Sequence, residues 1–248
     1  MSGAPDSRWI VPDWPVTPRV RALITTRAGG VSAGKYASLN LGTEVGDDPE
    51  HVARNRAIVR ACLPSDPCYL KQVHGTRVIE AERSAPGTEA DGAVARASGV
   101  VCAVLTADCV PVLLCDRAGS VAGVAHAGWR GLAAGILEEV LRAMGSPPRE
   151  TFAYLGPGIG PLAYEVGEEV RGVFVDGDPG AGAAFAPQRN GKYLADLYRL
   201  ARRRLAAAGV VEVYGGGFCT TGEQRFFSFR RDGITGRMAS LVWIESAP

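Results

Sequence analysis

The chain has almost no net charge and no long apolar run. Its 27 lysine and arginine residues are balanced by 26 aspartate and glutamate residues, a formal net charge of +1 at pH 7. This balance provides no long-range attraction to nucleic acid or to an anionic membrane, so we expect neither as a partner. No window has the length and apolar content of a signal peptide core or a membrane span, and we therefore expect a cytoplasmic protein.

Cysteine and histidine are also sparse. The six cysteines contain no CxxC pair and lack the dense spacing of a secreted disulfide scaffold, so we expect most of them to be reduced. Cys102 stands in an apolar run and is interpreted as a core residue. Of the three histidines, His51 is interpreted as a structural residue near a helix start, which leaves His74 and His126 as candidates for chemistry.

A predicted hairpin relates Cys109 to His126. Residues 111–116 have the pattern of a strand that begins with proline, residues 117–119 that of a turn, and residues 120–126 that of the returning strand. Folding the chain about this turn places His126 opposite residue 109 or 110, where paired side chains are close neighbours. We therefore expect the Cys109 thiol and the His126 ring to meet.

The register does not reach His74, which lies in an earlier loop. Both His74 and His126 are followed within two residues by glycine, which allows the backbone to approach a ligand closely. Two imidazoles and one thiolate make a three-ligand zinc site with the fourth position open, as catalytic zinc sites have. The trio with Cys109 therefore indicates an enzyme.

Two further segments are candidates for a binding role. The glycine loop at 156–161 lacks the Lys-Ser/Thr of a phosphate loop, and its prolines break the dinucleotide fingerprint, so we interpret it as a rigid turn. Arg130 follows His126 by four positions and lies just before a predicted helix. It is a better candidate to hold an anion than Arg230 and Arg231, because arginines at strand ends are commonly solvated or paired with carboxylates.

The remaining pattern predicts more strands than helices, with hairpins among the connections. Strands are predicted at 20–26, 99–107, 111–116, 120–126, 152–155, 210–214, 225–229 and 238–244, and helices at 49–62 after an Asp48 N-cap, 131–144, 165–173 and 192–208. Such a mixture favours the mixed α+β form of the α/β class, with mixed sheets flanked by helices in a single domain.

Short motifs occur in order through most of the chain. Three of them carry the candidate ligands: Gln72-Val73-His74-Gly75, Thr106-Ala107-Asp108-Cys109-Val110-Pro111 and His126-Ala127-Gly128-Trp129-Arg130-Gly131. The others lie at residues 25–30, 38–42, 46–56, 90–92, 156–157, 164–167, 226–231 and 235–237. With these motifs the chain resembles the laccase-domain family, whose members are also described as purine nucleoside phosphorylases, polyphenol oxidases or peptidoglycan editing factors.

The resemblance implies a fold and a set of site residues. The implied fold is an αββα-type sandwich, and we expect an irregular arm over residues 1–19 followed by one catalytic laccase-like domain over 20–248. The metal ligands that the resemblance implies are His74, Cys109 and His126, which with Asp108 make the predicted catalytic set. Asn40, Gln72 and Arg130 also fall on motif positions and are interpreted as substrate-binding residues.

The resemblance also implies an activity. It is zinc-dependent phosphorolysis of adenosine, inosine or S-methyl-5'-thioadenosine, with adenosine deamination as a possible second reaction. The partners would then be a nucleoside and phosphate, and the oligomeric state stays open. We expect Arg130 to hold phosphate and Asp108 to shuttle a proton to or from the purine.

Three alternatives stay open on the sequence alone. Three histidines are too few for the type 1 copper and trinuclear cluster of a blue multicopper oxidase, but one copper in place of zinc would make a single-copper polyphenol oxidase. Cys109 activated by His126 would make an amidase that edits peptidoglycan precursors. A metal-bearing binding module without turnover is the non-enzymatic alternative.

Overall fold

The computed structural model describes residues 7–246, in which short strands and helices alternate. The strands are β1 (Val20–Ile24), β2 (Val78–Glu80), β3 (Gly92–Ala95), β4 (Cys102–Thr106), β5 (Val110–Asp116), β6 (Ala122–Ala127), β7 (Thr151–Leu155), β8 (Glu165–Val166), β9 (Phe185–Pro187), β10 (Tyr193–Ala195), β11 (Glu212–Gly215) and β12 (Met238–Ile244). The helices are α1 (Pro49–Arg60), α2 (Trp129–Ala134), α3 (Ile136–Met144), α4 (Glu168–Gly177), α5 (Leu197–Ala207) and α6 (Phe229–Asp232). The first six residues of the predicted arm and the last two of the predicted domain lie outside this range.

Two mixed or antiparallel sheets stack at the centre of the molecule. The smaller sheet has the order β1-β12-β4, and the larger has the order β11-β7-β5-β6-β3-β2. Helix α1 packs on the outer face of the smaller sheet, while α2 to α5 cover the outer face of the larger one. A third, three-stranded sheet of order β8-β10-β9 adjoins α4. The predicted mixed α+β sandwich of the αββα type is confirmed.

Alternation of side chains along the strands produces these layers. In β4, Ala103 belongs to the core under α1, whereas Cys102 and Val104 belong to the core between the sheets. In β5, Leu113 faces the smaller sheet and Val112 faces the helices. Both faces of each central strand are therefore buried, which explains their nearly continuous apolar sequences. Cys102 is fully buried, as expected of a core residue.

Helix α1 begins as predicted. The Asp48 side chain accepts a hydrogen bond from the backbone N–H of Glu50 at 2.8 Å, and Pro49 occupies the first helical position. Among residues 7–246 no helix combines the length and the apolar content needed to cross a membrane.

Three of the predicted helices have different bounds. The segment 131–144 is split at Gly135, which is the C-cap of α2 and the N-cap of α3 and has a left-handed backbone with φ 102°. The segment 165–173 opens with β8 before α4 begins. In the segment 192–208, residues 193–195 form β10, and α5 begins only after Asp196, which caps the N–H of Arg199. In each case pairing with a neighbouring strand or a glycine turn overrides helix propensity.

The strand predicted at 225–229 is wrong. The chain there is irregular and leads into α6, with Ser228 as its N-cap. The guanidinium of Arg231 donates to the backbone carbonyls of Thr220 and Phe226, both at 2.9 Å. These side-chain bonds satisfy the carbonyls that a neighbouring strand would otherwise pair with, so the aromatic residues are buried without belonging to a sheet.

The predicted hairpin exists with a shifted register. Val110 pairs with Ala127 and Pro111 with His126, so His126 lies opposite residue 111 rather than 109 or 110. The shift arises because the returning strand begins at Ala122, two residues later than predicted.

Replacement of Gly135 tests the break between α2 and α3. Because its φ is 102°, Gly135→Ala should lower the free energy of unfolding by about 1–2 kcal/mol. A continuous helix would instead gain about 1 kcal/mol from the same change. The matched control is Gly172→Ala within α4, where a Cβ meets no atom within 4 Å and a gain of about 0.5–1 kcal/mol is expected. Urea unfolding of both variants measures whether each substitution raises or lowers the free energy of unfolding.

Candidate metal centre

Cys109, His126 and His74 meet at one end of the layer between the two sheets. Cys109 immediately precedes β5, and His126 lies near the end of the adjacent strand β6. His74 reaches them from the loop that precedes β2. The ligand atoms of the three side chains lie within 4.8 Å of one another, with Cys109 Sγ 3.8 Å from His74 Nε2.

The trio can hold a metal ion. Zinc bonds of about 2.0–2.3 Å at tetrahedral angles require ligand atoms roughly 3.5 Å apart, so the 3.8 Å pair already fits and the remaining separations need only small side-chain movements. The two imidazole rings lie edge to face, with centroids 4.7 Å apart. His126 is buried, Cys109 is half-buried and His74 is exposed, so the site is open to solvent on one side.

Asp91 holds the loop of His74 in place. Its fully buried carboxylate accepts the backbone N–H groups of Val73, His74 and Gly75 at 3.1, 2.9 and 2.7 Å. His74 adopts a left-handed backbone with φ 62°, which costs a residue with a side chain about 1–2 kcal/mol. The three hydrogen bonds to one carboxylate stabilise this conformation.

The same carboxylate orients His126. Asp91 Oδ1 lies 2.8 Å from His126 Nδ1, and the His126 backbone N–H donates to the Asp91 carbonyl at 2.7 Å. In a neutral His126 ring the carboxylate keeps the proton on Nδ1, which leaves the Nε2 lone pair for a metal ion beside Cys109. Carboxylate–histidine pairs of this kind orient ligands in many metal sites.

Gly128 leaves the space that the site needs. A Cβ at Gly128 would lie 2.9 Å from both Cys109 Sγ and His74 Cδ2, closer than real Cβ contacts come. A Cβ at Gly131, in the first turn of α2, would lie 2.9 Å from the Gly75 carbonyl oxygen. The two glycines therefore allow the His74 loop to pack against the start of α2.

The charges of Cys109 and His126 are coupled. Burial by itself would raise the pKa of the Cys109 thiol, but the charge and hydrogen bond of His126 and the hydrogen bond of His74 lower that pKa to about 6. Burial would lower the pKa of His126, but the Cys109 thiolate and the Asp91 carboxylate raise that pKa to about 9. Without metal, the site at neutral pH therefore contains a thiolate–imidazolium pair.

Asp108 lies beside the ligands but is already engaged. Its Oδ1 accepts a hydrogen bond from the Thr220 hydroxyl at 2.5 Å, and its Oδ2 accepts the backbone N–H of Arg230 at 2.6 Å. Asp108 has φ 98°, and its backbone carbonyl accepts the N–H of Ile159 at 2.7 Å. The residue therefore ties the Cys109 loop to the chain at Ile159, Thr220 and Arg230.

The glycine loop at 156–161 forms a wall behind Cys109. A Cβ at Gly158 would lie 2.6 Å from the side chain of Val110. The Tyr198 hydroxyl accepts the Gly158 N–H at 2.7 Å and lies 3.2 Å from the Gly156 carbonyl, to which it donates. These contacts fix the loop, and its N–H groups at Gly156, Gly158 and Ile159 already donate within the protein.

Gln72 and Asn40 use their amides within the protein. Gln72 donates to the carbonyl of Leu105 at 2.9 Å and accepts its N–H at 2.7 Å, which ties the His74 loop to the end of β4. Asn40 is fully buried, donates to Asp47 and accepts the N–H of Arg237 at 2.9 Å. Their substrate-binding roles stay predictions, and their observed bonds are structural.

Arginines and a tyrosine surround the open side. Arg130 is exposed, with its guanidinium carbon 4.6 Å from the Trp129 ring centroid. Arg230 stacks on Tyr164 at 4.9 Å and donates to the Glu165 carbonyl. Burial and the negative charge of Cys109 raise the pKa of Tyr164 to about 12, against the opposing charges of Arg230 and Arg130, so this phenol stays neutral beside the site.

Asp91 and Tyr164 had no role in the sequence-based site, although both lie in matched motifs. Asp91 could have been found, because it is an acidic residue directly before the fully apolar and buried strand β3. Such a carboxylate needs buried hydrogen-bond donors. Tyr164 carried no comparable signal, because its position beside Cys109 depends on how the chain returns after β7.

Comparison with known proteins places the chain in a family. Residues 21–245 match the family described as multi-copper polyphenol oxidoreductase laccase. The chain belongs to this laccase-domain family. It is 52% identical to a Pseudomonas aeruginosa protein named purine nucleoside phosphorylase, over 96% of this chain and 98% of that one. It is 51% identical to the Escherichia coli purine nucleoside phosphorylase YfiH, over 96% and 99% of the two chains.

Solved structures agree with this assignment. The Neisseria meningitidis protein NMB0706 matches with a TM-score of 0.94 at 53% identity, over 97% of this chain and all of that one. YlmD from Geobacillus stearothermophilus matches with a TM-score of 0.88 at 31% identity, over 98% of both chains. The laccase-domain fold is therefore retained across a wide range of sequence identity.

The charge coupling in the laccase-domain site predicts the reactivity of Cys109 in the metal-free protein. Because the pKa of Cys109 is lowered to about 6, its alkylation by iodoacetamide should rise through pH 6 and be close to its plateau at pH 7. Cys115, whose pKa burial raises to about 12, should stay unmodified and serves as the internal control. Mass spectrometry of the peptides that contain Cys109 and Cys115 gives the alkylation rate of each thiol. An inflection for Cys109 near pH 9 would contradict the coupling.

Replacement of Asp91 should weaken metal binding. Asp91→Asn puts an amide N–H₂ among the N–H groups that now donate to the carboxylate, so zinc affinity should fall by about 10–100-fold in competition with a chromophoric chelator. The matched control is Asp116→Asn at the far end of β5, where a buried carboxylate also accepts backbone N–H groups. It should lower stability and leave zinc affinity unchanged. Equal affinities of Asp91→Asn and the native chain would contradict the assigned role.

Proposed function

We propose that the protein is a zinc-dependent purine nucleoside phosphorylase that acts on adenosine, inosine or S-methyl-5'-thioadenosine. The observation that carries the proposal is the three-ligand centre, which can hold a metal and leaves one side open to a substrate. The names of relatives at about 50% identity support the reaction class. Deamination of adenosine, in which water replaces the amino group and ammonia leaves, is proposed as a second reaction of the same site.

Phosphorolysis breaks the bond between the purine nitrogen and the sugar C1' and forms a bond from C1' to a phosphate oxygen. The electron pair of the broken bond goes to the purine, which takes up a proton. Arg130 is exposed on the open side and is proposed to help hold the phosphate. Asp108 as the proton shuttle remains a prediction, since both of its oxygens already accept hydrogen bonds and a proton would have to use their remaining lone pairs.

The donor set suits zinc, with a thiolate and two neutral imidazoles as ligands. A bound zinc ion would supply a Lewis acid that polarises a substrate oxygen. His74, Cys109 and His126 would hold the ion, and Asp91 would keep the His126 ring oriented toward it. Copper binds the same donors, and metal analysis of the purified protein would identify which of the two ions it contains.

Product analysis tests the proposal. The zinc-loaded protein should release purine from inosine only when phosphate is present, with one equivalent of ribose 1-phosphate. Chelation should abolish turnover and zinc should restore it. His74→Gln should lose at least about 100-fold in turnover with its metal, whereas His51→Gln, outside the site, should retain native activity. Absence of phosphate-dependent product from all three nucleosides with stoichiometric zinc would refute the proposal.

A second candidate function has one specific observation in its favour. Cys109, His126 and Asp91 form a nucleophile, a base and an orienting carboxylate, with the Cys109 thiolate present at neutral pH. This arrangement fits an amidase that acts on peptidoglycan precursors through a thioester. Amide cleavage that survives removal of metal and ends on alkylation of Cys109 would favour it. Loss of all activity on chelation would exclude it.

A further inference from the structure

Arg237 lies beside the metal centre at the end of a central strand. It directly precedes β12, and Met238 pairs with Thr106 at the end of β4. The antiparallel register places Arg237 next to Ala107, two residues before Cys109, where paired Cα atoms are about 4.5–5.5 Å apart. The register therefore places Arg237 near the start of the Cys109 loop. The negative charges of Cys109 and Asp108 both act on the Arg237 guanidinium, consistent with this placement.

The Arg237 guanidinium makes few direct contacts with other described residues. Its Nη1 donates to the carbonyls of Thr235 and Gly236, each at 3.0 Å. Within residues 7–246 no carboxylate forms an ion pair with it, and its Nε and Nη2 make no hydrogen bond. The side chain is only half-exposed, and burial lowers its pKa despite the neighbouring negative charges. A partly desolvated cation with unused donors is costly unless an anion binds to it.

Buried neighbours hold Arg237 in place. Its backbone N–H donates to Asn40 Oδ1, and the fully buried Asn40 is itself tied to Gly42 by two further hydrogen bonds. A Cβ at Gly42 would lie 2.8 Å from Arg237 Cγ, so the absence of a side chain at Gly42 makes room for the arginine stem. Asn40 therefore acts on the site through Arg237.

We propose that Arg237 binds the inorganic phosphate that takes part in phosphorolysis, through the donors Nε and Nη2 on the Cys109 side of the open site. The inference rests on the proposed function. Two parallel N–H donors match two oxygens of a phosphate, a pairing that lysine does not reproduce. Arg130, exposed and stacked on Trp129, would contribute less to phosphate affinity than the more buried Arg237.

Steady-state kinetics of the zinc-loaded enzyme test the role of Arg237. In Arg237→Gln the KM for phosphate should rise at least about tenfold, the loss expected of a charge-assisted pair, while the KM for inosine and the zinc content stay native. Arg237→Lys keeps the charge without the paired donors, so its KM for phosphate should lie between those of the native enzyme and Arg237→Gln. Arg142→Gln, which removes an exposed arginine of α3, should leave every constant unchanged. An unchanged KM for phosphate in Arg237→Gln would overturn the inference.

Calorimetric titration with inorganic phosphate separates this inference from the proposed function. The native protein should bind phosphate and Arg237→Gln should not, at constant ionic strength. If phosphate binds through Arg237 but no nucleoside is cleaved, the anion site stands and the phosphorylase proposal fails. If the native enzyme phosphorolyses inosine and Arg237→Gln binds phosphate equally well, the inference fails alone. Should Arg237→Gln lose its fold or its zinc, Arg237→Lys decides, and a native phosphate affinity there overturns the inference.

Discussion

The buried carboxylate of Asp91 is the interaction on which the site depends. Burial would raise the pKa of Asp91, but the hydrogen bond from His126 and those from the backbone lower it, so the group stays ionised. It compensates the strained backbone of His74 and selects the ring orientation of His126 at the same time. Two candidate ligands that are far apart in sequence are thereby fixed by one residue that is not itself in the ligand group.

The resting charges of the site explain how it accepts a cation. The Cys109 thiolate is stabilised by a protonated His126, whose own charge is held by Asp91. A metal ion must displace the proton of His126, because an imidazole ligand is neutral. A zinc ion would bring two positive charges in place of this one proton, and the Cys109 thiolate and the Asp91 carboxylate would balance them.

Strands and core residues were predicted correctly where the local sequence pattern of one segment is sufficient to define it. The apolar runs of β4, β5, β7 and β12 were found because both faces of each strand are buried, and α1 was found from its Asp48 cap. Prediction failed at 225–229, where the Arg231 guanidinium replaces the pairing of a sheet, and at 193–195, where a partner strand overrides a helical pattern. Those choices depend on groups five or more residues away.

The local sequence determined that Cys109 and His126 would be neighbours, because a hairpin relates them through a short turn. Only the tertiary structure decided that His74 joins them, since the loop of His74 is placed by Asp91 and by the absent side chain at Gly128. It also decided that Asn40 and Gln72 bond within the protein. The physical reason is range: alternation and turn chemistry act over a few residues, whereas a buried carboxylate and close packing connect parts of the chain that the sequence does not relate.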